Sequence, residues 1–330
     1  MNERSKRAQM ERKRRIRRKK QRRRVLISAL VEVLILAVLA LAFCWDRGLS
    51  AKVSGVLGIF DRPPATELDV SGVNSSNVLL MDVKSGKVIG NLNGEERIYP
   101  ASMTKIMTAI VALEAFSDLD HEITLSENIF YALDGQDATQ AGFQPGESVR
   151  VRDLVYGVML PSGAECCLAL ADEVSGSEEA FVEKMNKKAK SIGMKDTHFM
   201  DCTGLHDPEH YSTAYDIALL LKYALHNDTF REVAESHFHS TPATNVHPDG
   251  ITYYSTMFKN LSDPSVTGGK ILGGKTGFTN AAGSCLASFA EIEGVEYILV
   301  TAGAMDGGTP NIADAVTVYN RLGEAAQALR

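Results

Sequence analysis

The apolar residues of this 330-residue chain follow two different periods. Short apolar-rich stretches at 77–83 and 87–91, separated by a Lys-Ser-Gly turn, predict a β-hairpin. Residues 284–291 and 296–302, separated by Glu-Gly, predict a second hairpin near the C-terminus. A helical period of 3.6 residues recurs in five segments, 102–116, 151–160, 165–174, 178–192 and 311–329. Strands near both ends with helices between them predict an α/β fold, in which helices flank one mainly antiparallel sheet.

Composition and charge exclude several classes of protein. With 45% apolar and 23% charged residues, the chain is neither collagen-like, fully disordered nor a disulfide-stapled miniprotein. The net charge of −6 hides an asymmetry, because residues 1–24 hold 14 of the 35 Lys and Arg but only two of the 41 acids. That segment therefore carries +12 and the remainder −18. An overall basic character suited to nucleic acid is absent.

Residues 25–43 form a long apolar run in which Glu32 is the single charge. Its 19 residues match the roughly 20 needed to cross a bilayer, and the positive-inside bias places residues 1–24 in the cytoplasm. Residues 44–70 carry Gly, Pro and Ser without steady periodicity and are typical of a linker. The predicted organisation is a basic cytoplasmic tail, a transmembrane anchor, a linker and a folded domain over 71–330, outside the cytoplasmic membrane.

Three other interpretations of the N-terminal region are weaker. A cleaved signal peptide would have a shorter apolar region and an Ala-x-Ala-like exit, whereas this run ends in Phe43, Cys44 and Trp45. A lipid anchor on Cys44 would need a small residue in place of Phe43. A nucleic-acid-binding arm would account for the basic tail, but the adjacent span explains that charge more simply.

Ser102 is the first candidate for chemistry, because it alone among the serines is followed three positions later by Lys, Lys105. Residues three apart on a helix share a face, so the amine can lie beside the hydroxyl. A buried amine near another cation has a lowered pKa, and in its neutral form it can accept the hydroxyl proton as Ser attacks a carbonyl. Alone, the pair is equally compatible with a solvated helix face.

Two further elements strengthen this hypothesis. Ser162 lies in a Pro-Ser-Gly break between two predicted helices, from which a hydroxyl can project into a cleft. Lys275, Thr276 and Gly277 lie in a GGKTGFT segment ahead of the second hairpin, where a small residue lets a substrate backbone approach a strand edge. Together the three elements form the pattern of penicillin-binding proteins and serine β-lactamases.

The resemblance extends beyond short motifs to four collinear segments, 79–109, 144–165, 197–221 and 273–289. Together they resemble the D-alanyl-D-alanine carboxypeptidase family, the low-molecular-weight penicillin-binding proteins, over about residues 72 to 305. The resemblance implies the serine β-lactamase and penicillin-binding-protein-like transpeptidase fold for the domain at 71–330. It also implies an enzyme without metal or cofactor that removes the terminal D-Ala from peptidoglycan stem peptides. β-Lactams, which resemble that terminus, would act as inhibitors.

The same resemblance implies a role for each matched residue. Ser102 would be the acylated nucleophile, Lys105 its general base, and Ser162 a proton relay to the leaving group. On the substrate side, Lys275 and Thr276 would hold the terminal carboxylate. Gly277 would leave room for the substrate, and the backbone NH groups of Ser102 and Phe278 would form the oxyanion hole.

The chain departs from the family pattern in two ways. The second element usually reads Ser-x-Asn, but here Ala164 replaces the Asn, which should weaken substrate binding by about 1 to 3 kcal/mol. Glu165 is adjacent but lies about 100° further round a helix, so it is a poor substitute. In addition, 53 residues follow Gly277, too few for the C-terminal β-rich domain and amphipathic anchor of many relatives.

Other residue clusters favour structural roles. His198, Asp201, His206, Asp207 and His210 are close in sequence and invite a zinc-peptidase reading, but neither H-E-x-x-H nor E-x-x-H is present. By sequence, the histidines at 237 and 239 are predicted in a loop, and the acids at 147 and 153 at the surface. The five cysteines, without metal-type spacing, are predicted to be small buried hydrophobes.

Two alternative functions remain open at this point. A catalytically weak protein that binds stem peptides would account for Ala164. A serine β-lactamase would need a further Glu poised for deacylation, and no matching segment supplies one. The sequence also leaves open whether water or a second stem peptide resolves the acyl-enzyme.

Overall fold

The computed structural model describes residues 67–305 and 308–328. The predicted tail, the predicted anchor and all but the last residues of the predicted linker lie outside these ranges. Within them, no helix is both long enough and apolar enough to cross a membrane. Leu68 donates its backbone NH to the carbonyl of Ile89, and Val70 is 2% exposed, so the folded part begins a few residues before 71.

One six-stranded antiparallel sheet, in the order β2-β1-β10-β9-β8-β7, organises the domain. The pairing of Asn77 with Ala302 joins the N-terminal hairpin to the C-terminal one, which confirms the predicted sheet built from both ends. Two short hairpins, β3-β4 and β5-β6, lie outside it. The strands are β1 Asn77–Asp82, β2 Val88–Leu92, β3 Glu122–Thr124, β4 Ser148–Arg150, β5 Phe238–Ser240, β6 Thr252–Tyr254, β7 Ser265–Val266, β8 Gly269–Thr279, β9 Gly283–Ile292 and β10 Val295–Ala304.

Nine α-helices occur within the described residues, most of them between β2 and β8 in the chain. All five helical segments predicted from periodicity are present, with ends shifted by a few residues. The helices are α1 Lys105–Ala115, α2 Glu127–Leu133, α3 Val151–Met159, α4 Ala164–Ser175, α5 Glu178–Ser191, α6 Ala214–Ala224, α7 Asp228–Glu235, α8 Thr256–Asn260 and α9 Pro310–Ala328.

Helices cover both faces of the sheet, so β1 is buried along its whole length, and β9 and β10 are buried except near their ends. Along β1, Leu79 and Met81 join the core beneath the helical layer, whereas Val78 and Leu80 join the core beneath α9. Successive side chains of a strand point to opposite faces, so this division follows from the strand geometry. It also explains why β1 reads as a continuous apolar run rather than an alternating one.

The hairpin β5-β6 corrects two predictions. Glu147 and Asp153, expected at the surface, are 0% and 1% exposed. His239 is on β5 rather than in a loop, and its Nε2 lies 2.7 Å from Asp153 Oδ1. The Nδ1 of His247 lies 2.8 Å from Glu147 Oε1. Buried carboxylates need charged or hydrogen-bonding partners, so these pairs fasten the hairpin to the helical layer.

Candidate active site

Ser102 lies in a short 3-10 turn, Ala101–Thr104, that runs directly into α1. The predicted α-helix from residue 102 thus begins three residues later. Ala101 has a left-handed backbone with φ of 48°, which redirects the chain just before the serine. Lys105 is 3% exposed, and its Nζ donates to Ser102 Oγ at 3.2 Å. The predicted contact between serine and lysine is therefore present.

Ser162 occupies a second strained turn, between α3 and α4, with φ of 71°. It is 6% exposed and accepts a hydrogen bond of 3.0 Å from Lys275 Nζ. Lys275 itself is 1% exposed and also donates to the carbonyl of Thr276 at 2.8 Å. Each serine hydroxyl therefore has its own buried lysine amine.

Strand β8 brings the third element against Ser102. A Cβ added to Gly277 would lie 2.9 Å from the backbone nitrogen of Ser102, so only glycine permits this approach. The hydroxyls of Thr276 and Thr256 are 2.6 Å apart, and the Phe278 side chain is 64% exposed. β7 pairs with β8 only at residues 269–270, so the edge of β8 beyond them has no strand partner in the described ranges.

The electrostatics of the site centre on the two lysines. Burial, followed by the nearby charge of Lys105, holds the pKa of Lys275 well below its ordinary value. The Cys167 thiol also faces this pair, and burial raises its pKa to about 12, so it is a neutral neighbour. Two ammonium groups sharing one buried site disfavour each other, which makes a neutral amine available at ordinary pH.

The cysteines behave as the sequence predicts. Cys166, Cys167, Cys202 and Cys285 are all buried and free, and burial raises the pKa of each thiol. Cys44 lies outside the described residues.

Ala164, where the family pattern has Asn, is 1% exposed at the start of α4. Its backbone NH donates to the carbonyl of Thr139 at 2.8 Å. Glu165 turns away from the lysines, and its Oε1 accepts from the backbone NH groups of Ala141 and Gly142 at 2.6 and 2.9 Å. Neither neighbour restores the missing amide.

Sequence reasoning missed two residues that contact this site. The carbonyl of Thr203 accepts a hydrogen bond of 2.6 Å from Lys105 Nζ, and Thr256 contacts Thr276. Backbone acceptors carry no side-chain signature, so no motif could reveal the first. Asp201 and His210, interpreted from sequence as structural, form a pair beside Thr203 in which His210 is buried and Asp201 is partly buried.

Comparison with known proteins decides the family. The family described as D-alanyl-D-alanine carboxypeptidase matches residues 64–306. The chain belongs to this family. D-alanyl-D-alanine carboxypeptidase DacF of Bacillus subtilis is 34% identical over 245 residues, 70% of this chain and 57% of that protein. A protein named D-alanyl-D-alanine carboxypeptidase from Streptomyces sp. strain K15 is 30% identical over 270 residues, 80% of this chain and 92% of that protein.

Solved structures of the D-alanyl-D-alanine carboxypeptidase family confirm the fold predicted from sequence. The Streptomyces K15 DD-transpeptidase superposes with a TM-score of 0.68 at 27% identity, covering 78% of this chain and 98% of that one. D-alanyl-D-alanine carboxypeptidase from Mycobacterium tuberculosis gives 0.68 at 25% identity, covering 82% and 97%. Among the curated relatives, the chain spans 57% of Bacillus DacF and 47% of Escherichia coli DacC.

Proposed function

We propose that this protein is a serine-type D-Ala-D-Ala carboxypeptidase, which removes the terminal D-Ala from peptidoglycan stem peptides through an acyl-enzyme on Ser102. The observation that carries the proposal is the paired arrangement of Ser102 with Lys105 and Ser162 with Lys275, at 3.2 and 3.0 Å. Such pairs supply a nucleophile with its base and a second hydroxyl for proton transfer.

Acylation follows from this geometry. Ser102 Oγ attacks the carbonyl carbon of the penultimate D-Ala, and its proton passes to Lys105 Nζ, which acts as the base. The backbone NH groups of Ser102 and Phe278 would stabilise the oxyanion, which is the role the family pattern predicts for them. When the carbon–nitrogen bond breaks, the leaving nitrogen takes a proton relayed by the Ser162 hydroxyl from the lysine pair. The terminal D-Ala departs as the free amino acid.

Substrate binding would also set the charge of Lys275. The terminal carboxylate, held by the Thr276 hydroxyl, would lie near Lys275 and raise the lowered pKa of that amine. Gly277 keeps the edge of β8 clear for the substrate backbone.

Deacylation regenerates the enzyme. Water attacks the ester carbonyl and gives a proton to Lys105 Nζ, the bond to Ser102 Oγ breaks, and the serine oxygen recovers that proton from Lys105. An amine from a second stem peptide could attack instead, which would give a cross-link rather than hydrolysis. Both names occur among the relatives, as carboxypeptidase for the curated Streptomyces enzyme and DD-transpeptidase for its structure.

The cellular setting is part of the proposal. We place the catalytic domain outside the cytoplasmic membrane, anchored by residues 25–43, with the basic tail on the cytoplasmic side. Support comes from the apolar run and charge asymmetry of the sequence. A peptidoglycan substrate agrees with this location.

A penicillin tests the proposal most directly. The full-length chain in detergent is mixed with penicillin and followed by intact-mass spectrometry, with Ser102→Ala and Lys105→Ala in parallel. We expect a lasting adduct of one drug molecule in the unchanged protein, no adduct in Ser102→Ala, and at least a hundredfold slower acylation in Lys105→Ala. Circular dichroism melting confirms that each variant is folded.

Other outcomes would contradict specific parts of the proposal. Destruction of the drug without a lasting adduct would indicate a β-lactamase. Intact drug and no adduct would favour a stem-peptide-binding protein, the alternative to which Ala164 points. An adduct that persists in Ser102→Ala would mean that another nucleophile reacts. Incubation with a pentapeptide ending in D-Ala-D-Ala, with and without an acceptor amine, separates hydrolysis from cross-linking.

A further inference from the structure

The Lys105 amine has a second partner besides Ser102. Its Nζ donates to the carbonyl of Thr203 at 2.6 Å, shorter than the 3.2 Å contact with Ser102 Oγ. The position of this carbonyl therefore fixes where the amine lies. Thr203 is 3% exposed and belongs to a loop almost a hundred residues later in the chain.

Asp201 holds that loop in shape. Its Oδ1 accepts three hydrogen bonds, from the backbone NH groups of Thr203 and Gly204, each at 2.6 Å, and from the Thr203 hydroxyl at 2.8 Å. One carboxylate oxygen thus orients the peptide whose carbonyl contacts Lys105. Charge-assisted bonds of this kind are about twice as strong as neutral ones.

His210 connects the same carboxylate to the turn Ala101–Thr104, which carries Ser102. Its Nδ1 lies 3.0 Å from Asp201 Oδ2, and its Nε2 lies 2.9 Å from Thr104 Oγ1. With Nδ1 protonated towards the carboxylate, Nε2 accepts from the Thr104 hydroxyl. The backbone NH of Met200 lies 3.3 Å from the same Nδ1, which can accept from it only in the other tautomer. The chain of bonds therefore closes, because Thr104 immediately precedes Lys105.

The pair lies in the part of the structure that faces Lys105, with His210 buried and Asp201 partly buried. His210 is 2% exposed, and burial would raise the pKa of Asp201, but His210 and the donors of the loop lower it to about 2. The carboxylate is therefore charged at every pH of interest. Other ionisable groups facing Lys105 and this loop come from two helices and a strand, namely Cys166 and Cys167 on α4, Glu178 on α5 and Lys275 on β8.

We propose that Asp201 and His210 are positioning residues for the acylation step: together they hold the Thr203 carbonyl and the Ser102 turn at a fixed separation, and so aim Lys105 Nζ at Ser102 Oγ. The inference rests on the proposed role of Ser102 as the acylated nucleophile. Neither side chain contacts the substrate in this scheme. The catalytic function that the pair serves is proton acceptance by Lys105.

The test measures the second-order rate constant of acylation by a fluorescent penicillin between pH 5 and 10, on full-length protein titrated for active sites. Asp201→Asn keeps an oxygen for the loop NH groups but presents an NH₂ to His210. We expect the maximal rate to fall about 10- to 100-fold, since small displacements of a catalytic group have effects of this size. Loss of a negative charge disfavours ammonium, so the acidic limb of the profile should move to lower pH.

Matched variants separate positioning from general damage. Asp207→Asn changes a carboxylate that also accepts a backbone NH in this loop, from Glu209 at 2.6 Å, and should leave the rate unchanged. His210→Gln tests the pair from its other side, and also serves if Asp201→Asn fails to fold. If the two residues act as one unit, the double variant should be little worse than either single one.

Two results would overturn the inference while leaving the proposed function intact. Asp201→Asn and His210→Gln could both acylate at the unchanged rate, which would make the pair dispensable. Alternatively, the acylation rate constants of both variants could fall by the same factor at every pH, with the acidic limb of the profile unmoved. That result would mean that the two residues only support folding. Absence of any Ser102 adduct in the unchanged protein would refute the proposed function, and the positioning role with it.

Discussion

The two serines of the cleft lie on turns that are strained alike but supported differently. A left-handed residue shapes each turn, Ala101 with φ of 48° before Ser102 and Ser162 itself with φ of 71°. Such backbones cost about 1 to 3 kcal/mol each and persist only where the surroundings enforce them. The comparison between the two turns therefore shows which contacts hold each left-handed backbone in place.

A distant loop supports the Ser102 turn through its side chains and its backbone. The polar chain through Asp201 and His210 reaches Thr104, and the loop backbone at Gly204 packs directly on Ala101. Backbone groups enforce the Ser162 turn instead. There, the NH of Gly163 donates to the carbonyl of Gly157 at 2.8 Å.

This difference indicates how each turn should respond to substitution. The Ser102 turn should weaken when the distant loop that contacts it is displaced, whereas the Ser162 turn, bonded to the adjacent helix α3, should respond mainly to changes at its own residues. The three predictions below test this contrast.

Gly204→Ala should have the largest effect. A Cβ there would lie 2.0 Å from the carbonyl oxygen of Ala101 and 3.0 Å from the nitrogen of Ser102, both backbone atoms that cannot move freely. We expect a loss of about 3 kcal/mol in the free energy of unfolding and at least tenfold slower acylation by penicillin. Urea melts and stopped-flow acylation measure the two effects.

Gly176→Ala is the matched control for this substitution. Gly176 has φ of 79°, close to the 84° of Gly204, but nothing lies within 4 Å of its added Cβ. Gly176→Ala should lower the free energy of unfolding only by the cost of its left-handed backbone, about 1 kcal/mol. Its acylation rate should be unchanged. Equal effects of the two substitutions on acylation would mean that contact with Ala101 does not shape the Ser102 turn.

Ala164→Asn tests the second turn. It restores the amide of the family pattern, and we expect acylation to rise about tenfold, the lower end of a 1 to 3 kcal/mol hydrogen-bonding gain. Ala164→Leu, similar in branching but without an amide, is the control and should not accelerate the reaction. Slower acylation by Ala164→Asn would show that this buried position has been rebuilt around a small residue.

Glu165→Gln should have the smallest effect, on stability alone. Burial raises the pKa of Glu165, partly offset by backbone NH groups such as that of Gly142, and its Oε2 has no hydrogen-bond partner in the described structure. A raised pKa favours the protonated form in the folded state. The stability contribution is thus fully present below the unfolded pKa and is lost as pH rises through the folded pKa.

The glutamine variant should therefore gain stability relative to the unchanged protein between pH 4 and pH 8, by about 1 kcal/mol. Thermal melts across this range measure the gain. Glu147→Gln is the contrast, because Glu147 accepts from Thr244 at 2.6 Å and lies 2.8 Å from His247. That variant should lose stability. A pH-independent difference for Glu165→Gln would contradict a buried, partly unsatisfied carboxyl.

Local sequence predicted those parts of the site that depend on local geometry. The i, i+3 spacing of Ser102 and Lys105 fixes their contact in a 3-10 turn as well as in an α-helix, so the error in helix type did no harm. Periodicity likewise predicted the helices with one apolar face, and the two hairpins whose strands pair through the middle of the sheet.

The features that sequence missed depend on distant contacts. β8 contains four glycines, a poor strand former, and needs several of them because other backbone approaches closely: a Cβ on Gly273 would lie 2.2 Å from the carbonyl oxygen of Ala234. The buried states of Glu147 and Asp153 required the position of the β5-β6 hairpin, which no local pattern supplies. The same holds for the partnership of Asp201 and His210.

The pairing of β1 with β10 has a consequence for the time course of folding. Asn77 finds its partner in Ala302, so the first strand described leaves the ribosome long before its neighbour exists. Until β10 emerges, β1 can pair only with β2, and an isolated two-stranded hairpin is marginal in water. The apolar face of β1 is therefore exposed while most of the domain is being made. Both turns of the cleft reach their final geometry only after β8 and its neighbours close the sheet, which makes activity a late event in the life of the chain.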